Sequence, residues 1–320
     1  MKKHIAQLLL LTVVTLCFAF PASAWDDVGH KITAYIAWQQ MTPEVREKVI
    51  KILLAAPEDA QLSTFFVQSG GRSDETLKRE FFMLASTWPD IIRDRSFTNR
   101  FKKYAHSNWH YSDTFWRTAP DGKVEMVTMP DENGKAMDEL GDLTKTLRSN
   151  ASDAEKALAI SWLEHLIGDI HQPLHASGRV TELEPKGDQG GNLFLLTPKG
   201  TPRDKQENLH WFWDSIVIRQ DPRNDACDAD YVDAEAQRII KKFPFSKVQS
   251  RLDAGNFDDW KKESFEISTK DVYSTDLKRN EMPSPDYRKK AYQIAQERLA
   301  LAGYRMGQLF NEIFGSSGNK

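Results

Sequence analysis

One stretch, residues 152–175, limits the possible folds of this chain more than any other part of the sequence. Ser152 followed by Glu155 is a capping-box pattern, which predicts that a helix begins there. The apolar residues that follow keep helical spacing, at Leu158, Trp162, Leu166 and Ile167. His165 and Asp169 are four residues apart, so in a helix both side chains lie on one face, one turn from each other. The stretch therefore predicts a core helix that carries a candidate metal-binding pair.

The residues after Asp169 extend this pattern. Pro173 should end or bend the helix, because proline lacks an amide hydrogen and clashes with the preceding turn. His175 can then fold back toward the face that carries Asp169. His171 points away from Asp169, and we expect it, like His106, to lie behind the ligands or to pack in the core.

The same four-residue spacing returns at His210 and Asp214. Imidazole nitrogens and carboxylate oxygens are ligands that zinc accepts at about 2.0–2.2 Å. A single pair of this kind is usually only hydrogen-bonded, but two pairs and an extra histidine favour a metal site. Asp90, which follows a proline, and His110, which lies among aromatic residues, are weaker candidates when taken alone.

The N-terminus has the pattern of a secretory signal peptide. Basic residues precede an apolar run at residues 5–20, and small residues follow as far as Ala24. A membrane anchor is the alternative, but the run is short and no basic stretch follows it. We expect residues 1–24 to be removed, which leaves a periplasmic or secreted protein without membrane attachment that begins at Trp25. Cys17 leaves with the peptide, so Cys227 has no intramolecular partner and a large core or bound metal must stabilise the fold.

Helical signals dominate the rest of the chain. We predict helices at residues 30–41, from the Thr42-Pro43-Glu44 start, at 75–88 and at 286–314. Strand signals are limited to residues 192–197, which follow a glycine-rich loop at 187–191, and to 124–129. With no repeat and no long linker, residues 25–320 are predicted to form one all-α domain with a small β-hairpin.

The charge balance limits how this chain can bind phosphate. Its formal net charge is −3, so it does not offer a broad basic surface of the kind that holds nucleic acid. Any phosphate binding must come from a local positive site, which bound metal can supply.

Taken together, the motifs resemble those of the zinc-dependent single-strand nucleases of the S1/P1 type. The resemblance covers the chain from Trp25 to Asp214 and keeps the order and local spacing of the family's motifs. These are Trp25-Asp26-Asp27-Val28-Gly29-His30, Trp88-Pro89-Asp90, Trp109-His110-Tyr111, the His165–His175 segment, Gly190-Gly191-Asn192, and His210 with Asp214.

The resemblance implies a helical fold of the phospholipase C and zinc nuclease type that holds three Zn²⁺ ions. The first ion is bound by Asp90, His110, His165 and Asp169, and the second by His175, His210 and Asp214. The third is bound by His30, by a bridging Asp169, and by the α-amino nitrogen and carbonyl oxygen of Trp25. Before signal cleavage that nitrogen is an amide, so the unprocessed chain should lack a complete site.

The same resemblance implies an endonuclease that hydrolyses single-stranded DNA and RNA to 5′-phosphate products by a metal-activated hydroxide. Action on mononucleotides as a 3′-nucleotidase stays open, and we expect a monomer. Asp113 is expected to orient the attacking water, and Arg93 to pair with Asp113 or with phosphate. Tyr111 is expected to stack on a base, and Asp188 and Asn192 to contact base edges or the sugar.

Two other functions compete with this interpretation. A zinc-dependent phospholipase C shares the helical fold and the N-terminal tryptophan ligand, but its last ligand pair is His-x-x-x-Glu where this chain has His210 and Asp214. A non-catalytic zinc-binding protein would need the ligands alone, and the presence of Tyr111, Arg93 and Asp113 argues against it.

Overall fold

The computed structural model describes residues 25–68, 71–129, 134–224 and 227–315. Within them the chain is mainly helical and forms a single domain with a small three-stranded sheet. The first half contains α1 (Asp27–Gln40), α2 (Pro43–Leu54), α3 (Asp74–Ala85), α4 (Trp88–Ile91), α5 (Thr98–Tyr104), β1 (Thr114–Thr118), β2 (Val124–Met126) and α6 (Ala136–Arg148). The second half contains α7 (Asp153–His171), β3 (Ser177–Arg179), α8 (Leu209–Asp214), α9 (Ile216–Gln220), α10 (Asp228–Lys242), α11 (Phe245–Val248), α12 (Phe257–Ile267) and α13 (Pro285–Phe314).

Two helices, α1 and α7, lie at the centre of the domain. α1 packs against α3, α10 and α13, and α7 packs against α2, α6, α12 and α13. Every residue of α7 from Ala159 to His171 is buried, as is every residue of α1 from Val28 to Trp38. A helix that is covered on all sides shields its polar residues from water as well as its apolar ones. The polar side chains on α1 and α7 therefore lie inside the protein.

Two glycines let α13 pack closely on α1. A Cβ atom on Gly303 would lie 2.5 Å from Cβ of Ile36, and one on Gly307 would lie 2.7 Å from Cβ of Gln40. Such distances are far shorter than any van der Waals contact, so larger residues would force the helices apart. The close packing fixes α1, and with it the N-terminal part of the described chain.

The capping box predicted at the start of α7 is confirmed. The Ser152 side chain accepts from the amide of Glu155, and the Glu155 carboxylate accepts from the amide of Ser152. The predicted helices at residues 30–41 and 286–314 match α1 and α13 to within a few residues. The helix predicted at 75–88 ends earlier, at Ala85, because a tight turn follows and Pro89 belongs to the first turn of α4.

The strand predicted at residues 192–197 is wrong. The amide of Asn192 donates to the carbonyl of Gln189, and that of Phe194 donates to the carbonyl of Gly191, which are turn bonds. Gly190 and Gly191 have φ values of 58° and 83°, so the backbone curls instead of extending. Only Leu195 makes a strand-like contact there, an isolated bridge to Asn208.

The hairpin that the structure does contain joins β1 to β2. The strand predicted at residues 124–129 is confirmed for β2, and its antiparallel partner β1 was not predicted. Asp121 and Gly122 between the two strands are a turn signal that points to this hairpin. β3 pairs in parallel with the other edge of β1, with Thr114 opposite Ser177.

The signal peptide predicted at residues 1–24 lies outside the described residues and stays a prediction. Among the described residues, no helix has both the length and the apolar character needed to cross a membrane.

Candidate metal centre

The small sheet brings two histidines together. β1 begins just after Asp113 and β3 begins just after Ala176, so their pairing places the His110 and His175 segments side by side. The amide of Ser112 donates to the carbonyl of His175 at 2.9 Å, and Nδ1 of His175 lies 2.5 Å from the carbonyl oxygen of His110. Pro173 begins a short 3-10 turn after α7, and this turn folds His175 back as the sequence predicted.

His175 and His210 direct their lone pairs at each other. Nδ1 of each ring lies within hydrogen-bond distance of a backbone carbonyl, that of His110 at 2.5 Å and that of Gly190 at 2.7 Å. A ring that donates from Nδ1 leaves Nε2 as an acceptor. The two Nε2 atoms are only 3.1 Å apart, and Oδ2 of Asp214 lies 3.4 Å from Nε2 of His210. Three electron-rich atoms thus converge, an arrangement that a cation stabilises.

Asp169 faces two sets of histidines with its two oxygens. Oδ1 lies 3.3 Å from Nε2 of His30, which stands on α1. Oδ2 lies 3.2 Å from Nδ1 of His110 and 3.4 Å from Nε2 of His165. Nδ1 of His165 lies 2.8 Å from the carbonyl oxygen of Ser86, and this hydrogen bond orients the ring. The carboxylate of Asp169 therefore stands between His30 on one side and His110 with His165 on the other.

Asp90 completes this cluster from α4. Its Oδ1 lies 3.9 Å from Nδ1 of His110 and 3.9 Å from Nε2 of His165. Among the described residues, three groups of side chains have ligand atoms within 4.8 Å of one another: His30 with Asp90 and His165, His110 with His165 and Asp169, and His175 with His210 and Asp214. Every side chain predicted as a metal ligand belongs to at least one of these groups.

Trp25 lies beside the same helices. Its side chain is buried, and its indole nitrogen donates to the carbonyl of Gly168 at 3.0 Å. The amide of the next residue, Asp26, donates to the carbonyl of Asp214 at 3.1 Å. These bonds hold the backbone of Trp25 between the segments that carry Asp169 and Asp214.

Burial dominates the electrostatics of the cluster. It lowers the pKa of His30, His110 and His175 well below the usual value. It also raises the pKa of Asp169 and Asp214 well above the usual value, and the negative charge of Asp90 adds to this effect at both. The imidazoles are therefore neutral and ready to bind metal, while the carboxylates need a nearby positive charge in order to ionise.

Several polar atoms of the cluster are buried and lack a hydrogen-bond partner among the described residues. They are both ring nitrogens of His30, Nε2 of His110, both oxygens of Asp169 and Oδ2 of Asp214. Buried polar groups are nearly always satisfied, because an unmade hydrogen bond costs about 1–3 kcal/mol. The unsatisfied atoms and the His/Asp donor set fit bound metal ions such as zinc.

Arg93 and Asp113 lie near the cluster in different settings. Nη1 of Arg93 donates to Oδ1 of Asp90 at 3.1 Å. Asp113 is buried, and its Oδ1 has no hydrogen-bond partner among the described residues. Burial raises the pKa of Asp113 well above its usual value; nearby Asp188 adds to this and Lys261 opposes it. Their catalytic roles stay predictions.

The residues predicted to bind substrate differ in exposure. Tyr111 is half-buried beside His110. Asp188 is fully buried, and it accepts from the amide of Arg179 at 3.0 Å and from the hydroxyl of Tyr273 at 2.5 Å. Asn192 is half-buried and donates to the carbonyl of Gln189. Asp188 thus ties the glycine-rich loop to the sheet and to Tyr273, and its contact with substrate stays a prediction.

Two residues that lie near the cluster were not predicted from the sequence. Gln172 donates from Nε2 to Oδ1 of Asp214 at 2.7 Å, and its Oε1 accepts from the amide of Leu174. Lys261 on α12 lies close to Asp113 and donates to the hydroxyl of Ser112 at 3.1 Å. Gln172 is a polar residue between two histidines of the motif, which is a usable signal. Nothing in the local sequence of Lys261 points to the cluster.

His171 and His106 lie outside the cluster, as predicted. His171 is buried: Nδ1 lies 2.7 Å from the carbonyl oxygen of Ile167, and Arg305 donates to Nε2 at 2.8 Å. His106 stacks on Trp109 with ring centroids 4.0 Å apart.

The fold and the cluster together define a class: a mainly helical protein built around a buried site for several metal ions. Comparison with known proteins narrows this class. The S1/P1 Nuclease family profile matches residues 25–315, and the chain belongs to that family. It is therefore a nuclease, a hydrolase of phosphodiester bonds.

Characterised relatives align over nearly the whole chain. Endonuclease 2 of Arabidopsis thaliana is 23% identical over 98% of this chain and 99% of its own length. Nuclease S1 of Aspergillus oryzae is 23% identical over 94% of this chain and 95% of its own length. Endonuclease 1 of Arabidopsis thaliana is 22% identical over 96% of this chain and 92% of its own length.

Proposed function

We propose that this chain is a zinc-dependent endonuclease that hydrolyses single-stranded DNA and RNA to 5′-phosphate products. It acts as a monomer in the periplasm or outside the cell, after removal of residues 1–24. Family membership supports the nuclease activity, and the His/Asp groups support several bound metal ions. The preference for single strands, the products and the identity of the metal are the parts proposed here.

The observation that carries the metal part of this proposal is the convergence of His175, His210 and Asp214. Two lone-pair nitrogens 3.1 Å apart repel each other unless a cation lies against them. Zinc accepts nitrogen and carboxylate ligands in four-coordinate sites, which suits this set. When bound, zinc ions supply positive charge for the phosphate and lower the pKa of water toward neutrality.

The protein's own groups support this chemistry in definable ways. Asp169 would help to hold two metal ions, because its two oxygens face different histidines. Arg93 fixes Asp90 and adds a positive charge beside it for the phosphate. Asp113 orients the attacking water with a carboxyl group whose Oδ1 has no hydrogen-bond partner in the described part of the chain. Gln172 holds Asp214 in place.

Single-stranded substrates suit a site of this depth. The side chains of His30, His165 and Asp169 are fully buried, so a phosphate must leave the bulk solvent to reach them. The phosphates of a duplex lie on a stiff rod, whereas a single strand can bend and splay its bases outward. Tyr111, half-buried next to His110, offers a face on which such a base can stack.

The alternative of a zinc-dependent phospholipase C has less support than the nuclease proposal. The profile match and the relatives' names all refer to nucleases. The last ligand pair is His210 with Asp214 and not a histidine with a glutamate. A protein that only stores zinc does not need the buried, partly unbonded carboxyl of Asp113.

The decisive experiment uses mature protein that begins at Trp25. Zinc per chain is measured by elemental analysis, and hydrolysis is measured on single-stranded DNA, RNA and phosphatidylcholine. We expect about three zinc ions per chain and cleavage of nucleic acid that EDTA abolishes. Cleavage of lipid alone would overturn the proposal in favour of a phospholipase, and zinc without either activity would leave a metal-binding protein.

A matched control tests the proposed role of the Trp25 amino group. The same protein with one methionine before Trp25 has an amide where the ligand nitrogen should be, so we expect it to bind about one zinc ion fewer. Full zinc content and full activity in this variant would show that the amino group is not a ligand.

A further inference from the structure

A short segment next to the metal centre has an unusual charge for this protein. Residues 91–103 contain the five cations Arg93, Arg95, Arg100, Lys102 and Lys103 and a single anion, Asp94. The whole chain carries a net charge of −3. A concentrated positive segment on an acidic protein attracts anions locally and leaves the rest of the surface repulsive to them.

The segment begins directly after Asp90, one of the candidate metal ligands. Asp90, the residue just before it, is 20% exposed at its side chain, while the side chains of His30, His165 and Asp169 are 0% exposed. Of these four side chains, Asp90 is the one that solvent reaches, and residues 91–103 follow it directly in the chain.

The exposed residues of the segment are both basic and apolar. Arg95 and Lys102 are exposed, and within the described parts of the chain neither forms an ion pair. Phe97 is 50% exposed, and the guanidinium of Arg100 stacks over its ring at 4.4 Å. Ile91 adds a further exposed apolar side chain. The guanidinium of Arg95 lies 5.5 Å from the ring centroid of Phe101, in the same segment. Exposed cations and an exposed aromatic ring within one short segment suit a ligand that alternates flat bases with phosphates.

We propose that residues 91–103 form a binding surface for the part of a nucleic-acid single strand that extends beyond the cleaved bond. Arg95 and Lys102 contact phosphates, and Phe97, backed by Arg100, stacks against a base. The inference rests on the proposed function, since it concerns the same substrate. It predicts that long strands bind better than dinucleotides, by contacts made outside the metal centre.

The test compares two substrates on two variants. The substrates are an oligothymidylate of about 20 nucleotides, longer than a typical binding site, and a thymidine dinucleotide. The variants are the double change Arg95→Ala with Lys102→Ala, and the single change Phe97→Ala. Arg93 is left intact because it contacts Asp90. The control, Lys123→Ala with Lys145→Ala, removes the same charge from two side chains that are 83% and 80% exposed elsewhere.

We expect the double variant to raise KM for the long strand about 5- to 10-fold at low salt. For this variant, the slope of log KM against the logarithm of the salt concentration should fall by about 1.4. Each lost phosphate contact on a single strand contributes about 0.7 to that slope. Phe97→Ala should raise KM for the long strand with no change in the salt dependence. Kinetics on the dinucleotide, and all kinetics of the control variant, should match the unmodified protein.

Three results would overturn this assignment. Long-strand kinetics that the variants leave unchanged would show that the segment does not contact substrate. An equal loss on the dinucleotide would show that the changes damage the metal centre instead. Binding of phosphatidylserine vesicles that the variants lose, with long-strand kinetics intact, would assign the surface to a membrane. Failure of the unmodified protein to cleave either substrate would instead count against the proposed function.

Discussion

Two buried polar clusters lie on the C-terminal half of α7, and they differ in how their groups are satisfied. The metal centre joins His30, His165 and Asp169, and it leaves several nitrogen and oxygen atoms without hydrogen-bond partners among the described residues. The second cluster joins His171 to Glu263 on α12 and to Arg298 and Arg305 on α13. We call this second set the α12–α13 ion cluster.

The α12–α13 ion cluster is fully bonded at its charged groups. Arg298 donates to the carbonyl of His171 at 3.1 Å and to Glu263 at 2.5 Å. Arg305 donates to both oxygens of Glu263 and to Nε2 of His171. Burial alone would raise the pKa of Glu263, but the bonds and charges of Arg305 and Arg298 outweigh it and lower the pKa to about 2.

The difference shows how to separate a structural cluster from a functional one. Buried charges are stable only when paired, and the α12–α13 ion cluster supplies each charge with a protein partner. In the metal centre, by contrast, no lysine or arginine among the described residues forms an ion pair with Asp169. We infer that the α12–α13 ion cluster positions the end of α7, and that the metal centre is completed by ions from solution. Replacing a carboxylate by its amide should therefore reduce metal binding in the metal centre and reduce stability in the α12–α13 ion cluster.

Asp169→Asn should have the largest effect. One carboxylate faces both sets of histidines, so we expect a loss of about two zinc ions per chain and of nuclease activity by more than 100-fold. In chelator the melting temperature should change little, because neither oxygen of Asp169 has a hydrogen-bond partner to lose among the described residues. Elemental analysis and hydrolysis of single-stranded DNA check this, and unchanged zinc content would rule out the bridge.

Glu263→Gln should act on stability and not on metal binding. Removing one charge of a buried pair costs about 3–5 kcal/mol, and the lower end applies here because the side chain is 27% exposed. Urea unfolding measures this loss at pH 7, and the folded fraction should keep its full zinc content. A variant that unfolds like the unmodified protein would show that the arginines find other partners.

The same residue predicts a pH dependence. The pKa of Glu263 is lowered from 4.5 to about 2 in the folded protein, so its contribution to stability is present above pH 4.5. The contribution is lost as the pH falls from 4.5 toward 2, where the folded carboxylate also becomes protonated. We therefore expect the stability difference between the unmodified protein and Glu263→Gln to shrink over this range. A difference that stays constant with pH would contradict the pairing.

Gln172→Leu should weaken metal binding without abolishing it. The change removes the donor that holds Oδ1 of Asp214, and loss of such a supporting bond typically costs about 10- to 100-fold in metal affinity. Competition with a chelator should show one zinc ion released more readily than the others. Release of all ions together would mean that Gln172 supports the whole end of α7.

Ser152→Ala should have the smallest effect and serves as the baseline for changes in α7. It removes the cap at the far end of the helix from both clusters, at a cost of about 1 kcal/mol. Zinc content and activity per folded molecule should not change. A loss of zinc would show that the stability of α7 as a whole, and not its local contacts, governs the metal centre.

Local patterns in the sequence predicted much of this molecule. The spacing of His165 to Asp169 and of His210 to Asp214 places each pair on one helical face, because the helical repeat fixes such neighbours wherever the helix lies. The capping box at Ser152 and the break at Pro173 are also local, and both occur as predicted. Strand β1 was not predicted, because a five-residue strand carries little pattern. The strand predicted after the glycine-rich loop forms only the isolated bridge between Leu195 and Asn208.

Local sequence is sufficient to set the helical segments, their ends, and the ligand pairs that lie within one turn of a helix. The packing of distant segments, by contrast, brings His30 and His110 to Asp169, buries Asp188 against Tyr273, and gives each charge of the α12–α13 ion cluster a partner. The two kinds of contact differ in how far apart their residues lie in the sequence. Backbone geometry fixes side chains a few residues apart, whereas contacts between distant segments depend on how whole helices pack.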